Sequence, residues 1–551
     1  MIQIKWQLVS DRQPGSVEEI IEILLANRGE GPAFLTGSLK DLEPHLAIQG
    51  IREGAELMAW HLSKGHKVVL VGDYDCDGVT SAAQLSLFLR DLGYRNFDVV
   101  IPHRSEGYGV PERAISDHSD AKLLVAMDCG THDEKPITMA RSAGIDIIVI
   151  DHHEVTEGSV APANVLINPK QHSCPSSFKE FASAGLTLLF LAGLRRAVGG
   201  QFPQPSLGSK FLALAAIGTV ADIVPLIDAN RILTKVGLCH LGKDDFLPLQ
   251  QMIEVAGLSG KTLTAGHIGY YLGPRLNVAG RLASAHLAFD LLTGDDPQKI
   301  RQLARELNRL NAKRQHEEEV ALTEVRRRYS DRSASNRTLV MGDPKWSAGI
   351  IGIVASRIQQ QIHYGPTVIL SLDEERGIAR GSARSVPGFD IHSALKECNR
   401  HLLRWGGHKM AAGLTVSLEE MEAFVEAFER SALKYPREIF APKGKVDMAL
   451  GLDLVSSRLQ DALKVLEPHG QGNPSPTFAA RKVTTRVRKA FGKDKNHLRL
   501  FLNDRTDGVF WRGSKRYCWQ DGDLVDVIFQ IAWDDFLKKP SINVKDIGHF
   551  F

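Results

Sequence analysis

The segment Val68-Val69-Leu70-Val71-Gly72-Asp73-Tyr74-Asp75-Cys76-Asp77-Gly78 contains the clearest fold signal of this chain. Its four consecutive aliphatic residues are typical of a strand that is buried on both faces of a parallel sheet. Asp73, Asp75 and Asp77 follow at alternate positions and end at Gly78, where a turn is expected. The segment therefore predicts a buried strand with a group of carboxylates at its carboxyl end.

Three further blocks of acids and histidines extend this pattern. Asp128-Cys129-Gly130 and Asp151-His152-His153 each directly follow an apolar run, and Asp222 ends the block Gly218-Thr219-Val220-Ala221-Asp222. Because the carboxyl ends of parallel strands face one crevice, we expect these acids to converge there. Packed carboxylates repel one another unless cations lie between them, and oxygen and imidazole ligands together suit Mn²⁺ or Mg²⁺. The pattern predicts a hydrolase with two divalent cations.

Structural interpretations of the same residues remain open. A single Asp-x-Asp-x-Asp-Gly also occurs in a polar turn that caps a helix, for which Thr80 and Ser81 are further candidates. A calcium loop of the EF-hand type is excluded, because its twelfth position needs an acid and Gln84 stands there. Adjacent histidines after a strand are often structural, but the pair His152-His153 coincides with Asp128 at another strand end, which favours metal ligands.

Composition indicates a multidomain globular protein. The chain has 551 residues, which is too long for a single hydrophobic core. Of these residues 43% are hydrophobic and 24% are charged, as in ordinary globular proteins. Its six cysteines form no Cys-x-x-Cys pair, which favours a reducing compartment over a disulfide framework. The most apolar window, 211–227, is short and contains Asp222, so no membrane span is predicted. The start shows no basic stretch followed by an apolar one, and we expect a cytoplasmic protein.

The order of the patterns predicts an α/β multidomain fold. A parallel-sheet domain is followed by a long linker helix that opens at Pro297, a smaller α/β domain and a C-terminal β-barrel of the OB type, the variety that binds single strands. The predicted boundaries are a helical leader over 1–50, the first α/β domain over 51–295, the helix over 296–330, the second α/β domain over 331–432 and the barrel over 433–551.

A basic segment near the end of the chain is a candidate surface for nucleic acid. Between residues 479 and 519 there are twelve Lys or Arg against three Asp, and six aromatic residues are interleaved with them. A charge run alone is more often a solvated face, but bases stack on aromatic rings, which favours single-stranded nucleic acid. The candidate DNA-binding residues are Arg486, Arg488, Lys489, Lys493, Lys495, Arg499 and Trp511.

The four blocks in this order resemble the motifs of the DHH phosphoesterase superfamily. Two further segments narrow the resemblance to the RecJ exonuclease family: 406–413 is similar to the signature of the DHHA1 domain, and 466–474 to the segment that leads into the RecJ OB domain. The resemblance implies catalysis by Asp75, Asp77, Asp128, His152, His153 and Asp222, with Asp73 and Asp151 beside or among the metal ligands. It implies that Asp128 bridges both ions, and that Asp73 and Asp151 orient histidines or waters.

The same resemblance implies residues that hold the DNA. The segment 273–281 is similar to a family stretch near substrate phosphates, and guanidinium groups fork onto phosphate oxygens. The implied substrate-binding residues are Arg104, Arg275, Asn277, Arg281, Ser382, Arg384, Ser385, Gly407 and His408. As partners it implies single-stranded DNA, and a single-strand-binding protein or a helicase. We expect a monomer that degrades single strands from 5′ to 3′ in repair and recombination.

Two alternatives remain. One is a DHH phosphodiesterase for short oligonucleotides or cyclic dinucleotides, against which the basic C-terminal segment argues. The other is a non-catalytic DNA-binding replication scaffold, against which the complete set of acids argues. No Ser-His-Asp arrangement or phosphate-cradling Gly-x-x-x-x-Gly-Lys loop stands out, so ATP is not expected. Departures from the family pattern at Cys76, Cys129 and Ser347 leave the efficiency and the metal preference open.

Overall fold

The chain divides into two compact units. The structure, a computed structural model, describes residues 4–156, 158–243, 246–330, 336–492, 494–517, 519–534 and 537–550. The first unit, here called the barrel unit, combines three stretches of chain, and the second, the parallel-sheet unit, combines two. The barrel unit comprises Met1–Asn27, Ala312–Ala462 and Pro476–Phe551, and the parallel-sheet unit comprises Arg28–Asn311 and Leu463–Ser475.

The described strands form three sheets. In chain order they are β1 (Lys5–Ser10), β2 (Val68–Gly72), β3 (Phe97–Val100), β4 (Leu123–Met127), β5 (Asp146–Ile150), β6 (Val165–Ile167), β7 (Leu339–Asp343), β8 (Thr367–Asp373), β9 (Ile378–Arg384), β10 (Arg404–Gly407), β11 (Ala411–Ser417), β12 (Lys443–Ala449), β13 (Phe478–Phe491), β14 (His497–Leu502), β15 (Thr506–Phe510), β16 (Leu524–Asp534) and β17 (Lys539–Gly548).

None of the described helices combines the length and the apolar character of a membrane span. The helices are α1 (Val17–Arg28), α2 (Ala33–Thr36), α3 (Ile51–Ser63), α4 (Cys76–Asp91), α5 (Arg113–Ser116), α6 (Glu134–Ser142), α7 (Ser183–Val198), α8 (Ser209–Ala221), α9 (Asp228–His240), α10 (Leu247–Val255), α11 (Ala265–His267), α12 (Gly273–Asn277), α13 (Ala279–Leu282), α14 (His286–Thr293), α15 (Pro297–Ser330), α16 (Ile351–Gln361), α17 (Ile391–Glu397), α18 (Met421–Leu433) and α19 (Ser457–Leu463).

The parallel-sheet unit contains the sheet that the sequence predicts. Its strands lie in the order β3-β2-β4-β5-β6, and every neighbouring pair is parallel. Alternate residues of β2 enter two different cores: Val68 and Leu70 pack with residues of α4, α7 and α8, whereas Val69 and Val71 pack with residues of α5 and α6. Burying an aliphatic side chain of this size contributes about 1.5–3 kcal/mol. Helices on both faces thus explain the unbroken apolar runs of β2, β4 and β5.

The alternation of strands and helices ends earlier than the sequence predicts. After β6, the regular elements described up to α15 are all helices, and several of them enlarge the core on one face of the sheet. The segments 28–50 and 463–475 also belong to this unit, outside the predicted range 51–295. The second segment follows the rest of the unit by more than 150 residues, so no local pattern could assign it.

The barrel unit contains a mixed sheet and a closed barrel. The mixed sheet has the order β10-β11-β9-β8-β7, in which only β7 and β8 are parallel. In the C-terminal region the order β13-β14-β15-β17-β16 closes through a pairing of β13 with β16. This closed five-stranded barrel confirms the predicted fold class, although the sequence did not reveal β17.

The predicted helical leader over 1–50 begins with a strand that the sequence pattern did not indicate. The chain enters the structure as β1, which pairs in parallel with β12, and β12 in turn pairs with the start of β13. The helix α1 follows, in the region where the sequence pattern is amphipathic. Strand β1 alternates exposed and half-buried residues and has no pairing partner nearby in the chain, so its strand character depends on residues about 440 positions away.

Candidate metal centre

The register of the parallel sheet places three aspartates side by side. The last residues of β2, β4 and β5 are paired with one another. The residues that follow them are Asp73, Asp128 and Asp151, all of which are buried. Asp128 has a φ of +64°, which is uncommon for a residue other than glycine and is a form of strain found at functional sites.

The loop from Asp73 to Gly78 both caps a helix and presents carboxylates. Asp75 Oδ1 accepts hydrogen bonds from the backbone nitrogens of Asp77 (2.9 Å) and Gly78 (3.1 Å), so Asp75 is the N-cap of α4. A Cβ atom at Gly78 would lie 2.5 Å from the backbone nitrogen of Asp73, so only glycine permits this tight loop. The helix-capping interpretation and the metal interpretation are therefore compatible in one motif.

Asp77 is held at the amino end of a second helix. Its two carboxylate oxygens accept hydrogen bonds from the backbone nitrogens of Ser183 (2.7 Å) and Ala184 (2.9 Å) at the start of α7. Unpaired N–H groups and the helix dipole favour an anion at this position. Gly218 of α8 packs closely here, because a Cβ atom on it would lie 2.7 Å from Asp77 Oδ1.

The imidazole of His152 lies among three carboxylates. Its Nε2 atom is 3.3 Å from Asp128 Oδ1, 3.5 Å from Asp222 Oδ2 and 3.9 Å from Asp77 Oδ2. This buried nitrogen has no hydrogen-bond partner among the described residues. A buried polar atom without a partner is costly unless another group satisfies it. The donor set of carboxylate oxygens and imidazole nitrogens fits divalent cations such as Mn²⁺ and Mg²⁺.

Asp151 orients the second histidine. Nδ1 of His153 lies 2.7 Å from Asp151 Oδ1, and an ionised carboxylate only accepts, so Nδ1 carries a proton; in the neutral imidazole, Nε2 then keeps its lone pair. The hydroxyl of Tyr108 lies 3.0 Å from the same Nδ1 and donates to the backbone oxygen of Asp128 at 2.9 Å. Asp151 and Tyr108 thus fix the ring of His153.

The ligand atoms of seven of the eight predicted metal residues fall into three groups. Within each group the atoms lie within 4.8 Å of one another. Asp128 belongs to two of the groups, whereas Asp151 belongs to none and contacts His153 instead. The groups are Asp128 with His152 and His153, Asp77 with His152 and Asp222, and Asp73 with Asp75 and Asp128.

Burial and mutual repulsion disfavour negative charge in this centre. Burial, and then the charges of Asp75 and Asp77, raise the pKa of Asp128 and of Asp222 well above the usual range. Burial, followed by the charge of Asp75, raises the pKa of Asp77 to about 7. Burial also lowers the pKa of His152 to about 4, so this imidazole is neutral and can act as a ligand. The centre therefore binds protons unless cations replace them.

The two cysteines at motif positions are not thiolate ligands. Cys76 and Cys129 are both buried, and burial raises the pKa of each thiol well above its usual range. Neither sulfur belongs to a ligand group among the described residues. The backbone nitrogen of Cys76 donates to Asn277 Oδ1 at 2.8 Å, so that residue position serves to hold the loop.

Sequence reasoning missed two residues of this centre. Tyr108 lies in the same loop as the predicted Arg104 but is not among the predicted site residues, although an aromatic hydroxyl between two glycines, Gly107 and Gly109, is a usable signal. The hydroxyl of Ser183 donates a hydrogen bond to Asp128 Oδ1 at 3.1 Å, in addition to the bond from its backbone nitrogen to Asp77. No motif precedes Ser183 in the sequence, and only the fold brings it to the centre.

The predicted substrate residues of the parallel-sheet unit differ in how firmly they are held. The guanidinium of Arg104 lies over the ring of Tyr74, 5.0 Å from its centroid, on an exposed loop. Arg275 donates to Asn308 Oδ1 (3.0 Å) and to the backbone oxygen of Tyr271 (2.7 Å). Asn277 holds the loop at Cys76, as described, and Arg281 is half-buried at the end of the same segment.

In the barrel unit, the predicted substrate residue Ser385 is hydrogen-bonded to its own surroundings. Ser385 is buried; its hydroxyl donates to the backbone oxygen of Phe389 at 2.6 Å, and its backbone nitrogen is also bonded, so it offers no donor to an anion. Arg384 lies on β9 with its guanidinium bonded to the hydroxyls of Ser382 (3.0 Å) and Ser356 (3.1 Å). Gly407 is the exposed last residue of β10, and His408 follows it in the exposed turn before β11.

The predicted DNA-binding residues of the barrel divide into paired and exposed ones. Arg488 and Arg499 contact the buried carboxylates of Asp507 (3.1 Å) and Asp534 (2.8 Å), and Arg486 lies 3.7 Å from Asp504. Lys489 and Lys495 are exposed, as is Trp511, which packs against the rings of Phe491 and His497. Lys493 lies outside the described residues.

Comparison with known proteins identifies relatives over nearly the whole chain. Family models match for the DHH family N-terminal domain (residues 67–219), the DHHA1 domain (335–433) and the RecJ OB domain (446–546). The chain is 33% identical over 487 residues to the single-stranded-DNA-specific exonuclease RecJ of Escherichia coli, which covers 84% of both chains. It is 30% identical over 546 residues to the protein of that name from Bacillus subtilis, covering 96% of this chain and 68% of the relative.

A solved structure extends the likeness to three dimensions. The crystal structure of RecJ in complex with Mn²⁺ from Thermus thermophilus superposes with a TM-score of 0.84 at 27% identity, covering 99% of this chain and 79% of that one. A second structure of that protein, in complex with Mg²⁺, gives a TM-score of 0.77 at 26% identity, covering 99% of this chain and 78% of that one. Both ions named for these structures match the oxygen and imidazole donors gathered here.

Proposed function

The chain belongs to the RecJ family of single-stranded-DNA-specific exonucleases, and we propose how its own residues carry out the reaction. It is a metal-dependent hydrolase that cuts the phosphodiester bonds of single-stranded DNA, with Mn²⁺ or Mg²⁺ as cofactor. The match to the RecJ OB domain is not expected of a phosphodiesterase built from the first two domains alone. A complete set of ligands is not expected of a non-catalytic scaffold.

The observation that supports the site assignment is the environment of His152 Nε2. Three carboxylate oxygens surround a buried nitrogen that has no hydrogen-bond partner among the described residues. We propose that Asp77, His152 and Asp222 hold one cation and that Asp73 and Asp75 hold the other. Asp128 groups with Asp73 and Asp75 and, separately, with His152 and His153, which supports its role as the bridging carboxylate.

Two cations supply the chemistry that the anionic substrate requires. When bound, they would lower the pKa of a water and offset the negative charge of the attacking and leaving oxygens. The protein holds the ligands in place: the start of α7 holds Asp77, Asp151 holds His153, and Tyr108 holds the backbone of Asp128. Ser183 further fixes one oxygen of Asp128, so Asp77 and Asp128, which both flank His152, are oriented by α7.

Direction and end recognition belong to the proposal. We propose 5′→3′ degradation in DNA repair and recombination, with Arg384 and Ser382 recognising a 5′ phosphate. The hydroxyls of Ser382 and Ser356 fix the guanidinium of Arg384, and a preorganised fork suits a phosphate. The exposed Lys489, Lys495 and Trp511 are proposed to bind the strand farther from its end.

The protein is further proposed to act in the cytoplasm as a monomer. An enzyme specific for single strands needs a source of them, so a helicase or a single-strand-binding protein is the proposed partner. Light scattering coupled to size-exclusion chromatography measures the oligomeric state directly. A mass of two chains would contradict the monomer.

The deciding experiment replaces the bridging carboxylate. Asp128→Ala should reduce hydrolysis of a 5′-labelled single strand at saturating Mn²⁺ by at least about a thousandfold, because metal-assisted chemistry contributes several kcal/mol. Asp120→Ala, which removes an exposed aspartate paired with Lys67, is the matched control and should retain the rate. A parallel reaction with a 3′-labelled strand reports the polarity. Near-normal hydrolysis by Asp128→Ala would refute the site assignment.

A further inference from the structure

The segment 465–474 precedes the barrel in sequence yet belongs to the parallel-sheet unit. It contains the stretch Leu466-Glu467-Pro468-His469-Gly470-Gln471-Gly472-Asn473-Pro474, to which the proposed reaction gives no role. We propose that this segment is a positioning element of the metal centre, which holds the turn after Asp222. The inference rests on the proposed function, because it assumes that Asp222 is a metal ligand.

The turn after Asp222 contains a residue in a strained backbone conformation. Asp222 is the C-cap residue of α8, and Ile223 follows with a φ of +63° and 71% of its surface exposed. A β-branched residue in this conformation is strained and persists only where its surroundings enforce it. The direction in which the chain leaves Asp222 therefore depends on contacts made farther along the turn.

Those contacts come from the segment 465–474. The backbone nitrogen of Leu226 donates to the backbone oxygen of Gln471 at 2.7 Å. A Cβ atom at Gly470 would lie 2.6 Å from Leu226 Cδ1, and one at Gly472 would lie 3.0 Å from Pro225 Cβ. Gly472 also has a φ of +74°, which favours glycine. The two glycines thus let the segment lie directly against the turn.

A buried amide fixes the shape of the segment. Asn473 is fully buried, and its Nδ2 donates to the backbone oxygens of Leu466 (2.8 Å) and Pro468 (2.9 Å). Its Oδ1 accepts from Arg28 Nε at 3.0 Å, and Arg28 also donates to the backbone oxygen of Pro474 at 2.8 Å. Each polar atom of the amide is satisfied, so the loop has one defined conformation.

A buried arginine joins the segment to the helix that follows the turn. Arg231 on α9 is 3% exposed and donates to the backbone oxygens of Leu466 and Val465, both at 2.9 Å. Its neighbour Asn230 donates to the backbone oxygen of Pro225 at 3.0 Å. The turn is therefore held on one side by α9 and on the other by the segment, and Asp222 lies at its start.

The test compares two identical chemical changes in one unit. In Asn473→Asp the amide nitrogen becomes an oxygen that faces two carbonyl oxygens, so the segment must shift. In the control Asn164→Asp, the lost bond is to Asp146 Oδ1 (2.7 Å), at the amino end of β5 and away from Asp222. Binding of Mn²⁺ alone is followed by the electron paramagnetic resonance of the free ion, and folding by circular dichroism.

We expect Asn473→Asp to weaken Mn²⁺ binding about tenfold, the size seen when groups that orient metal ligands are removed, while Asn164→Asp binds normally. Hydrolysis by Asn473→Asp should recover at high Mn²⁺. Unchanged Mn²⁺ binding in folded Asn473→Asp, or equal weakening in the control, would overturn the inference. If Asn473→Asp does not fold, Gly470→Ala is the second test, because its added Cβ displaces Leu226 and leaves the hydrogen bonds of the segment in place. Weaker Mn²⁺ binding by Gly470→Ala supports the inference, and unchanged binding overturns it. Failure of the proposed function would show separately, as retained activity in Asp128→Ala.

Discussion

The metal centre and the barrel surface are both rich in charge, but they satisfy it in opposite ways. In the metal centre, three carboxylates surround His152 Nε2, and burial raises the pKa of Asp128 and Asp222. In the barrel, Arg488 and Arg499 already contact the carboxylates of Asp507 and Asp534. The comparison teaches that unsatisfied charge, rather than the number of charged residues, marks a place where a ligand must bind.

The largest loss of activity is expected when His152, which lies among the carboxylates of the metal centre, is replaced. His152→Ala should reduce hydrolysis at saturating Mn²⁺ by at least about a thousandfold, because three carboxylates then lose the nitrogen that lies among them. Since the ligands act as a unit, the double variant with Asp128→Ala should be no slower than the slower single variant. His61→Ala is the control, because His61 is also buried in this unit and bonds to Asp146 instead. Losses that multiply would show that the two residues act independently.

A smaller effect is expected at Arg384, whose single guanidinium is proposed to bind the 5′ end of the DNA strand. Arg384→Ala should reduce the preference for a 5′-phosphorylated over a 5′-hydroxyl strand by about ten- to a hundredfold, since a charge-assisted hydrogen bond is worth about 1.5–3 kcal/mol. Arg380→Ala, on the same strand and face, removes an exposed arginine and should leave the preference intact. The preference is measured as the ratio of the hydrolysis rates on the two substrates. An equal preference in wild type and Arg384→Ala would show that another residue recognises the 5′ phosphate, with Arg104 as the next candidate.

Paired and exposed cations lie on the same barrel, so their contributions to DNA binding can be measured against each other. Lys489→Ala and Lys495→Ala should each reduce the slope of log affinity for single-stranded DNA against log salt by about 0.7, because each removes one phosphate contact. Arg499→Ala should instead lower the thermal midpoint and change the slope less, since its guanidinium is bonded to Asp534 at 2.8 Å. Fluorescence binding titrations at several salt concentrations measure the slopes. Equal slopes for all three variants would mean that pairing with an acid does not determine which cations bind DNA.

The sequence predicts the parallel sheet and its acids because both depend on local signals. Asp73, Asp128 and Asp151 each follow a strand end, and the paired ends of β2, β4 and β5 bring them together. The helix α15 is equally local, since neither proline nor glycine interrupts its interior. Such patterns depend only on residues that are close together in the chain, so a single sequence is enough to recognise them.

The missed features all depend on residues that are distant in sequence. Leu226 and Gln471 are bonded across more than 240 positions, and β1 pairs with β12. For this reason, a truncation after Pro436 removes more than the barrel, because it also deletes the segment 465–474 from the parallel-sheet unit. The pairing of Arg499 with Asp534 is likewise set by the barrel closure and cannot be read from a count of charges.

The smallest expected effect concerns the metal-free centre and pH. The pKa of Asp77 rises from 3.8 to about 7 on folding, mainly because of burial. A carboxyl whose folded pKa is raised binds its proton more tightly in the folded state, so its contribution to stability is complete below pH 3.8 and is lost as the pH rises through 7. Without metal, the thermal midpoint of the parallel-sheet unit should therefore fall by a few degrees between pH 5 and pH 8, at roughly 2–4 °C per kcal/mol.

Mn²⁺ should reverse this trend, because cation binding displaces the protons and so becomes tighter as the pH rises. Calorimetric scans at pH 5, 6.5 and 8, with and without Mn²⁺, measure both slopes. Asp222→Asn is the control, because it removes one of the repelling carboxylates whose pKa burial also raises, and its metal-free midpoint should depend less on pH. Among its described residues, the barrel lacks such a cluster of repelling carboxylates. If the thermal midpoint of the metal-free protein rose with pH, paired surface charges and not the buried centre would control the stability of the chain.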